Sequence, residues 1–340
     1  MNILLGKSRF SKTCSKIVFK ILRRLYKKCF VRRRSSSYES QLFNEYVEFF
    51  DEEANDKVFE LLKCGAPCMI AKFGTVELGY LIAYKFYIMS SYPTAIIVDF
   101  IKDKVPTINW GISLNALINN AGFFPSEPAE ELLKRFYETY EVAIKEIDIL
   151  GSYIYAEKYV NSILNGVKRV NLDGYYAPFL YRNPWTKHLK GKKVLVVHPF
   201  AQEISDQYTR KRTKLWDNPD VLPDFTLITY KAIQSITGEK TEFQTWFDAL
   251  HKMEEDISKI DFDIALIGCG AYGMPLSAYC KTIGKQSVHL AGWTQVLFGI
   301  IGKRWEKHPK VEPYINEFWV RPYTQSVPIN ANNVEGGCYW

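Results

Sequence analysis

The sequence predicts an α/β protein with a mostly parallel, doubly wound sheet and helices on both faces. Short apolar runs alternate with helical patterns in the second half of the chain, which is typical of βαβ units. The run Ile264-Ala-Leu-Ile267 is apolar at every position, as in a strand that is buried on both faces. The chain has 340 residues, of which 47% are hydrophobic, so it is long enough to bury the core that such a sheet requires.

Helical periodicity and apolar runs between turn residues give the order of the elements. Those of the first half are a helix over 41–64, a strand over 66–73, a turn over 74–77, a helix over 78–89, a loop over 120–125, a helix from the cap Ser126 to about Lys145, and a strand over 147–151. Those of the second half are a connector over 185–193, strands over 193–198, 225–230, 263–267 and 287–290, and helices from about Ala201, over 246–260 and over 274–283.

Three segments are predicted from composition. Residues 1–38 form a basic amphipathic arm, residues 39–308 form the α/β body, and residues 309–340 form a C-terminal segment. The last segment is rich in Pro, Asn and aromatic residues, and we expect it to wrap back over the body.

The basic arm accounts for the positive charge of the chain. Residues 1–34 carry twelve Lys or Arg and no acid, whereas the whole chain has a net charge of only +7. The arm has a helical apolar face made of Val18, Ile21, Leu22, Leu25 and Cys29. A helix of this kind suits the surface of an anionic membrane, which is the partner we expect for residues 1–34.

Other interpretations of the arm remain open, namely a disordered basic tail, a nucleic-acid-binding arm and a transit peptide. We expect no nucleic-acid partner. The sequence contains no run of 18 apolar residues, so no membrane-spanning helix is predicted. The seven scattered cysteines favour a reducing compartment, and the expected location is cytoplasmic and peripheral at the inner face of the membrane.

A glycine turn is the strongest sign of a ligand site. The apolar strand 263–267 ends in Gly268-Cys-Gly270-Ala-Tyr-Gly273, and a helix follows. Backbone N–H groups at such a turn bind phosphate or pyrophosphate. No Asp or Glu occurs between Ile264 and Trp305, and the pair Lys303-Arg304 closes this stretch. The alternative is that the glycines only permit a tight turn and close packing.

The glycine spacing also fits the dinucleotide fingerprint. That fingerprint needs an acid about 20 residues further on, to hold the ribose of NAD. Residues 289–292 lie at this distance and include none. No NAD is therefore expected.

Because ligands bind beyond the carboxyl ends of parallel strands, the turns at 72–77, 151–153, 198–200 and 268–273 are expected to enclose one cleft. Glu77 is interpreted as a ligand of a divalent cation, as a group that orients a sugar hydroxyl, or as a first-turn carboxylate behind a Thr75 cap. His198 is interpreted as a phosphate donor, as a base or as a buried structural residue, and His289 shares this ambiguity.

The pair Lys303-Arg304 is expected to neutralise the charge on a departing nucleoside diphosphate, or else to be a solvated surface pair. An acceptor hydroxyl also needs a general base. Asp148, Glu203 and Asp206 are candidates that the sequence does not rank.

Two sets of motifs resemble a known family. The turn Lys72-Phe-Gly-Thr-Val-Glu77 looks like the Arg-Phe-Gly-Asp-Gly-Glu motif of the GT-D type glycosyltransferases, bacterial enzymes that build surface glycans from nucleotide sugars. Thr75 replaces the first carboxylate of that family's Asp-x-Glu metal pair. A late group of motifs resembles the capsular polysaccharide branch: His198-Pro-Phe-Ala, Trp246-Phe, Gly270-Ala-Tyr-Gly273, Thr294-Gln295, Phe298-Gly299 and Lys303-Arg304-Trp305.

The resemblance covers about residues 40–340 and implies a GT-D-like, Rossmann-like fold with hexosyltransferase-type activity in polysaccharide biosynthesis. It implies a nucleoside diphosphate sugar as donor and a glycan or lipid-linked glycan as acceptor. Mg or Mn is an implied cofactor, with Glu77 as its one carboxylate ligand. Glu77 and His198 are the implied catalytic residues. The implied donor-binding residues are Lys72, Gly74, Thr75, Gly268, Gly270, Ala271, Tyr272, Gly273, Gln295, Lys303 and Arg304.

Two other functions remain open from the sequence. One is an NAD-dependent nucleotide-sugar enzyme that uses the turn at Gly268. The other is a non-catalytic scaffold of a glycan assembly complex.

Overall fold

Parallel strands form the centre of the protein. The computed structural model describes residues 2–4, 9–30, 46–88, 91–102, 104, 115–125, 130–164 and 166–340. The strands are β1 Asn2–Leu4, β2 Cys68–Ala71, β3 Ser91–Pro93, β4 Ile149–Gly151, β5 Lys168–Val170, β6 Lys193–His198, β7 Thr226–Lys231, β8 Ile264–Ile267 and β9 Gln286–His289. The helices are α1 Arg9–Phe30, α2 Asp51–Lys63, α3 Thr75–Tyr87, α4 Thr94–Ile101, α5 Asn115–Ala121, α6 Glu130–Lys145, α7 Leu172–Tyr176, α8 Ala201–Leu215, α9 Trp246–Ser258, α10 Gly273–Thr282 and α11 Trp293–Leu297.

The described strands build one seven-stranded sheet and one small ribbon. The sheet has the order β5-β4-β2-β9-β8-β6-β7, and every neighbouring pair is parallel. The ribbon pairs β1 with β3 in antiparallel fashion. The predicted α/β class with a Rossmann-like parallel sheet is therefore confirmed.

Both faces of the sheet are covered by helices. Leu195 and Val197 of β6 belong to a core cluster with residues of α3, α6, α9 and α10. Val194 and Val196 belong to the opposite cluster, which includes residues of α2, α7, α8 and α11. Successive residues of a strand point to opposite faces, so a strand buried on both faces is apolar at every position. This is the physical reason for the uniform apolar runs.

The strand order creates a crevice. The chain leaves β6 through α8 toward β7 and leaves β8 through α10 toward β9, in opposite directions along the sheet. Such a reversal opens a space between the carboxyl ends of the two adjacent strands.

Some predicted boundaries are corrected by the structure. The helix expected over 41–64 begins at Asp51, because Phe49 forms a bridge with Val170 beside β5 and holds the chain extended before the helix. The helix expected from residue 78 begins at Thr75. The helix α5 occupies the start of the expected loop at 120–125. Residues 41–45 and Ser126 lie outside the described residues.

The described parts of the arm are the strand β1 and the helix α1, and α1 contacts the body. Phe19 packs against the first core cluster, and the guanidinium of Arg23 lies 4.5 Å from the ring centre of Phe100 in α4. None of the helices in the described ranges combines the length and the apolar character needed to cross a bilayer. Residues 1, 5–8 and 31–38 of the predicted arm lie outside the described residues.

Candidate functional site

A cavity of about 220 Å³ opens at the carboxyl edge of the sheet. Lys72 after β2, Tyr153 after β4, His198 at the end of β6 and Gly268 after β8 all line it, so the four predicted turns meet at one cavity. Other lining segments come from α5, from residues 233–236 and from the C-terminus.

Most of the site residues predicted from the sequence line this cavity. They are Lys72, Gly74, Thr75, Glu77, His198, Gly268, Gly270, Tyr272, Gln295 and Arg304. Ala271, Gly273 and Lys303 do not line it, and for them the expected contact with a donor is corrected.

Ala271 and Gly273 are buried beneath the turn. The carbonyl of Ala271 accepts a hydrogen bond of 2.7 Å from the hydroxyl of Tyr140. A Cβ at Gly273 would lie 2.3 Å from Nε2 of His289, so the imidazole covers the start of α10. The imidazole of His289 therefore packs directly against Gly273, the first residue of α10.

The turn still offers hydrogen-bond donors where it lines the cavity. The amide of Gly268 is used in the sheet, where it donates to the carbonyl of Val197 at 2.9 Å. The amides of Cys269 and Gly270 donate to no residue that the structure describes. Gly270 has φ +59, a conformation that glycine adopts at little cost. These two amides are the part of the turn suited to an anion.

The two basic residues of the Lys303-Arg304 pair point to different places. The ammonium of Lys303 donates to the carbonyl of Gly336 at 3.2 Å on the outside of the protein. The guanidinium of Arg304 lies at the cavity, where it pairs with the Glu335 carboxylate and donates to the hydroxyl of Tyr339 at 3.2 Å. The expectation that both residues act on one ligand is therefore corrected.

Lys72 is the second cation of the cavity. Its ammonium lies 3.3 Å from the carbonyl of Phe73 and 3.5 Å from the hydroxyl of Tyr153. Burial lowers the pKa of Lys72, but the neighbouring Tyr153, Glu77 and Tyr339 raise it by more, so the net pKa is above the usual value and the side chain is charged. The hydroxyl of Tyr153 donates to the carbonyl of Phe73 at 2.9 Å and so fixes this corner.

Glu77 is the buried acid of the cavity. It is 9% exposed and lies in the first turn of α3, with its carboxylate folded over Gly74. A Cβ at Gly74 would lie 1.9 Å from Oε2 of Glu77. Burial raises the pKa of Glu77, against the lowering effects of its backbone hydrogen bond and of Lys72. Thr75 was expected to cap the N-terminus of α3, but Gly74 is the cap residue. The hydroxyl of Thr75 lies 3.3 Å from the hydroxyl of Tyr153.

His198 is held as a neutral donor. Its Nδ1 accepts a hydrogen bond of 3.0 Å from the amide of Phe200, which leaves the ring hydrogen on Nε2. Burial lowers the pKa of His198 to about 3, so the ring stays neutral at ordinary pH. A neutral imidazole in this tautomer donates through Nε2 and does not act as a base. Of its predicted roles, the geometry favours hydrogen bonding to an anionic oxygen.

His289 is a buried ring without a hydrogen-bond partner. Neither of its nitrogens bonds to any residue in the described ranges, and burial together with the charge of Lys72 lowers its pKa to about 3. The ring lies between Gly273 and the cavity wall. We interpret it as a neutral spacer over the start of α10.

Several lining residues were absent from the predicted set. The hydroxyl of Ser235 donates to the carbonyl of Gly122 at 2.6 Å and lies 3.0 Å from that of Tyr272, which joins two loops at the cavity. Glu335 and Tyr339 reach the cavity from the C-terminal segment. The side-chain amide of Gln295 donates to the carbonyl of Tyr339 at 3.2 Å and holds this segment in place. Local sequence gives no signal for such contacts between distant segments.

The three candidate bases lie elsewhere. Asp148 accepts from the amide of Met69 at the start of β2, at the amino edge of the sheet. Glu203 accepts from the backbone amide of Tyr323 and Asp206 from its hydroxyl. None of the three lines the cavity, so the expectation for each is corrected.

The cavity residues do not fit a Mg or Mn site. No group of three or more His, Cys, Asp or Glu side chains suited to a metal occurs among the described residues. Glu77 is a single carboxylate with the ammonium of Lys72 nearby, and Glu335 is paired with Arg304. Such ions need several oxygen ligands, so these residues hold a cation poorly.

Comparison of the chain with protein-family models, with curated proteins and with solved structures found no match. The resemblance to the GT-D type enzymes therefore depends on the motifs alone.

Proposed function

We propose that the protein is a glycosyltransferase that moves a sugar from a nucleoside diphosphate sugar to a glycan or lipid-linked glycan acceptor. One observation carries the proposal: two cations, Lys72 and Arg304, and the buried carboxylate of Glu77 line one cavity at the carboxyl edge of a doubly wound sheet. This edge is where α/β proteins bind nucleotides.

The diphosphate of the donor contacts the amides of Cys269 and Gly270 and the guanidinium of Arg304. In the free protein, Arg304 pairs with the carboxylate of Glu335, which occupies the position of an anionic ligand. A phosphate oxygen replaces that carboxylate when the donor binds. Charge-assisted hydrogen bonds of this type stabilise the negative charge that develops as the diphosphate leaves.

Glu77 accepts the proton of the acceptor hydroxyl. A general base works best when its pKa is near the working pH, and burial raises the pKa of Glu77 in that direction. It is the buried carboxylate among the described lining residues. His198 donates from Nε2 to an oxygen of the donor.

Lys72 takes the place that a metal ion holds in the resembling family. Its ammonium lies in the same turn as Glu77 and stays charged. The residues fit a reaction in which Lys72 and Arg304 carry the positive charge, so no step requires Mg or Mn.

The test is turnover with a panel of UDP- and GDP-sugars, measured as release of nucleoside diphosphate in the presence of a chelator. Turnover that survives chelation and falls at least a hundredfold in Glu77→Gln is the expected result. Equal turnover of Glu77→Gln and the unsubstituted protein removes Glu77 from the mechanism.

Thermal unfolding with added ligands tests the two alternative functions, the NAD-dependent nucleotide-sugar enzyme and the non-catalytic scaffold. A ligand that binds only the folded state raises the unfolding temperature. Stabilisation by NAD without stabilisation by UDP or GDP indicates the nucleotide-sugar enzyme that uses NAD. Stabilisation by a nucleotide sugar without any turnover indicates the scaffold.

A further inference from the structure

The helix α1 leaves an apolar surface uncovered. Five residues form this surface, which we call the apolar stripe, with exposed fractions of 40–53%: Ile17, Val18, Ile21, Leu22 and Leu25. On a helix, residues three and four apart lie on the same side, so these five form one continuous strip along more than two turns.

A different face of α1 holds the helix to the body. Phe19, Arg23 and Tyr26 are half-buried and lie at spacings of four and three residues. Phe19 packs against the core and Arg23 lies over the ring of Phe100. The apolar stripe therefore remains uncovered while α1 is docked on α4.

A row of cations borders the stripe. Lys20, Arg24 and Lys28 are exposed and follow one another at a spacing of four residues. The sequence of α1 contains no Asp or Glu. Each Lys or Arg close to an anionic membrane surface contributes about 1 kcal/mol of attraction, and apolar side chains at the same surface insert between the acyl chains.

We propose that the apolar stripe of α1 is the surface by which the protein docks on an anionic lipid bilayer. Lipid is favoured over a second copy of the chain because α1 has no acid, so that two paired copies of α1 would bring rows of cations together. Charge complementarity instead selects a surface with negative headgroups.

Side-chain contacts of α4, on which α1 is docked, connect the apolar stripe to the wall of the cavity. Asp99 of α4 accepts hydrogen bonds from Tyr155 at 3.3 Å and Tyr159 at 2.6 Å and pairs with Lys158. These three residues belong to a 3-10 helix, Tyr155–Val160, that begins two residues after Tyr153 at the cavity wall. The docked helix therefore orients the body on the membrane, rather than tethering it through a loose arm. The proposal does not depend on the transferase activity.

Co-sedimentation of the full chain with vesicles tests the proposal. The vesicles contain phosphatidylglycerol and phosphatidylcholine, or phosphatidylcholine alone. The variant Ile21→Ser with Leu25→Ser removes the centre of the stripe, and Val142→Ser is the matched control, because Val142 is 62% exposed on α6. Circular dichroism of each variant checks the fold.

We expect the control to bind the anionic vesicles like the unsubstituted protein and the stripe variant to bind at least tenfold more weakly. Lys20→Gln with Arg24→Gln and Lys28→Gln is also expected to bind at least tenfold more weakly. Unchanged binding by the stripe variant overturns the proposal, and so does equal binding to the neutral vesicles. A dimer of the unsubstituted protein in light scattering that the stripe variant loses also overturns it, because a second copy then covers the stripe.

Discussion

Glu77 and Lys72 carry opposite charges in one buried corner of the cavity, and each shifts the pKa of the other. The ammonium of Lys72 lowers the pKa of Glu77, yet burial has the larger effect and the net pKa is raised. The carboxylate is charged at neutral pH only at a cost in folding free energy. A site that keeps such a group uses it for chemistry more often than for stability.

The variant Glu77→Gln tests this environment without any substrate. Because the folded pKa is raised above the usual value of 4.5, the unsubstituted protein loses stability as pH rises from about 4.5 through the folded pKa. The Gln variant lacks this titration. We subtract the unfolding temperature of the unsubstituted protein from that of the variant. We expect this difference to increase from pH 4 to pH 7.

Thermal unfolding followed by circular dichroism across that range provides the measurement. Glu60→Gln on α2 is the control for removing an exposed glutamate. A difference for Glu77→Gln that stays flat or decreases with pH contradicts the raised pKa.

Two glycines inside helices have opposite surroundings, although neither has a positive φ. At Gly273 of α10 an added Cβ would lie 2.3 Å from Nε2 of His289, whereas at Gly79 of α3 no atom lies within 4 Å of it. We expect Gly273→Ala to destabilise the protein by about 1–3 kcal/mol through overpacking. We expect Gly79→Ala to stabilise it by about 0.5–1 kcal/mol, because alanine is the better helix former.

Urea unfolding of the two glycine variants gives both free energies. A similar change in both would mean that His289 does not constrain the start of α10.

The C-terminal segment adds a competing carboxylate to the cavity. Glu335 pairs with Arg304, and the backbone amide of Arg304 donates to the carbonyl of Cys338 at 2.9 Å. We expect Glu335→Gln to strengthen binding of UDP or GDP by up to about fivefold, because exposed ion pairs contribute about 0.2–1 kcal/mol. Isothermal titration calorimetry measures this change.

Glu306→Gln is the control for the Glu335 variant. Glu306 pairs with Arg321, and neither residue lines the cavity. Weaker nucleotide binding by Glu335→Gln than by this control would show that Glu335 assists the ligand rather than competing with it.

The sheet and its edge could be predicted from the sequence because both depend on local patterns. Uniformly apolar runs such as 194–197 identify strands buried on both faces. Because ligands bind at the carboxyl ends of parallel strands, the turns that contain Lys72, His198 and Gly268 were expected at one edge, and all three residues line the cavity. The order of the strands was not predictable, since it is decided by packing between distant segments.

The details of the cavity depend on side-chain directions that a pattern does not contain. Lys303 and Arg304 are adjacent in sequence, yet one contacts the carbonyl of Gly336 and the other faces the cavity. The imidazole of His289 packs against Gly273 at the start of α10, a contact that the glycine spacing does not reveal. Glu335 reaches the site from the end of the chain, so only the folded structure identifies it.

Nucleoside diphosphate binding by Arg304→Ala and Lys303→Ala tests whether this cavity holds a diphosphate. We expect UDP or GDP to bind the unsubstituted protein in calorimetry, and Arg304→Ala to weaken binding by about 1.5–3 kcal/mol, or roughly 10- to 150-fold. Lys303→Ala is expected to leave affinity unchanged, because its ammonium lies outside the cavity. Equal affinities of the two variants, or no nucleotide binding by the unsubstituted protein, would contradict the account.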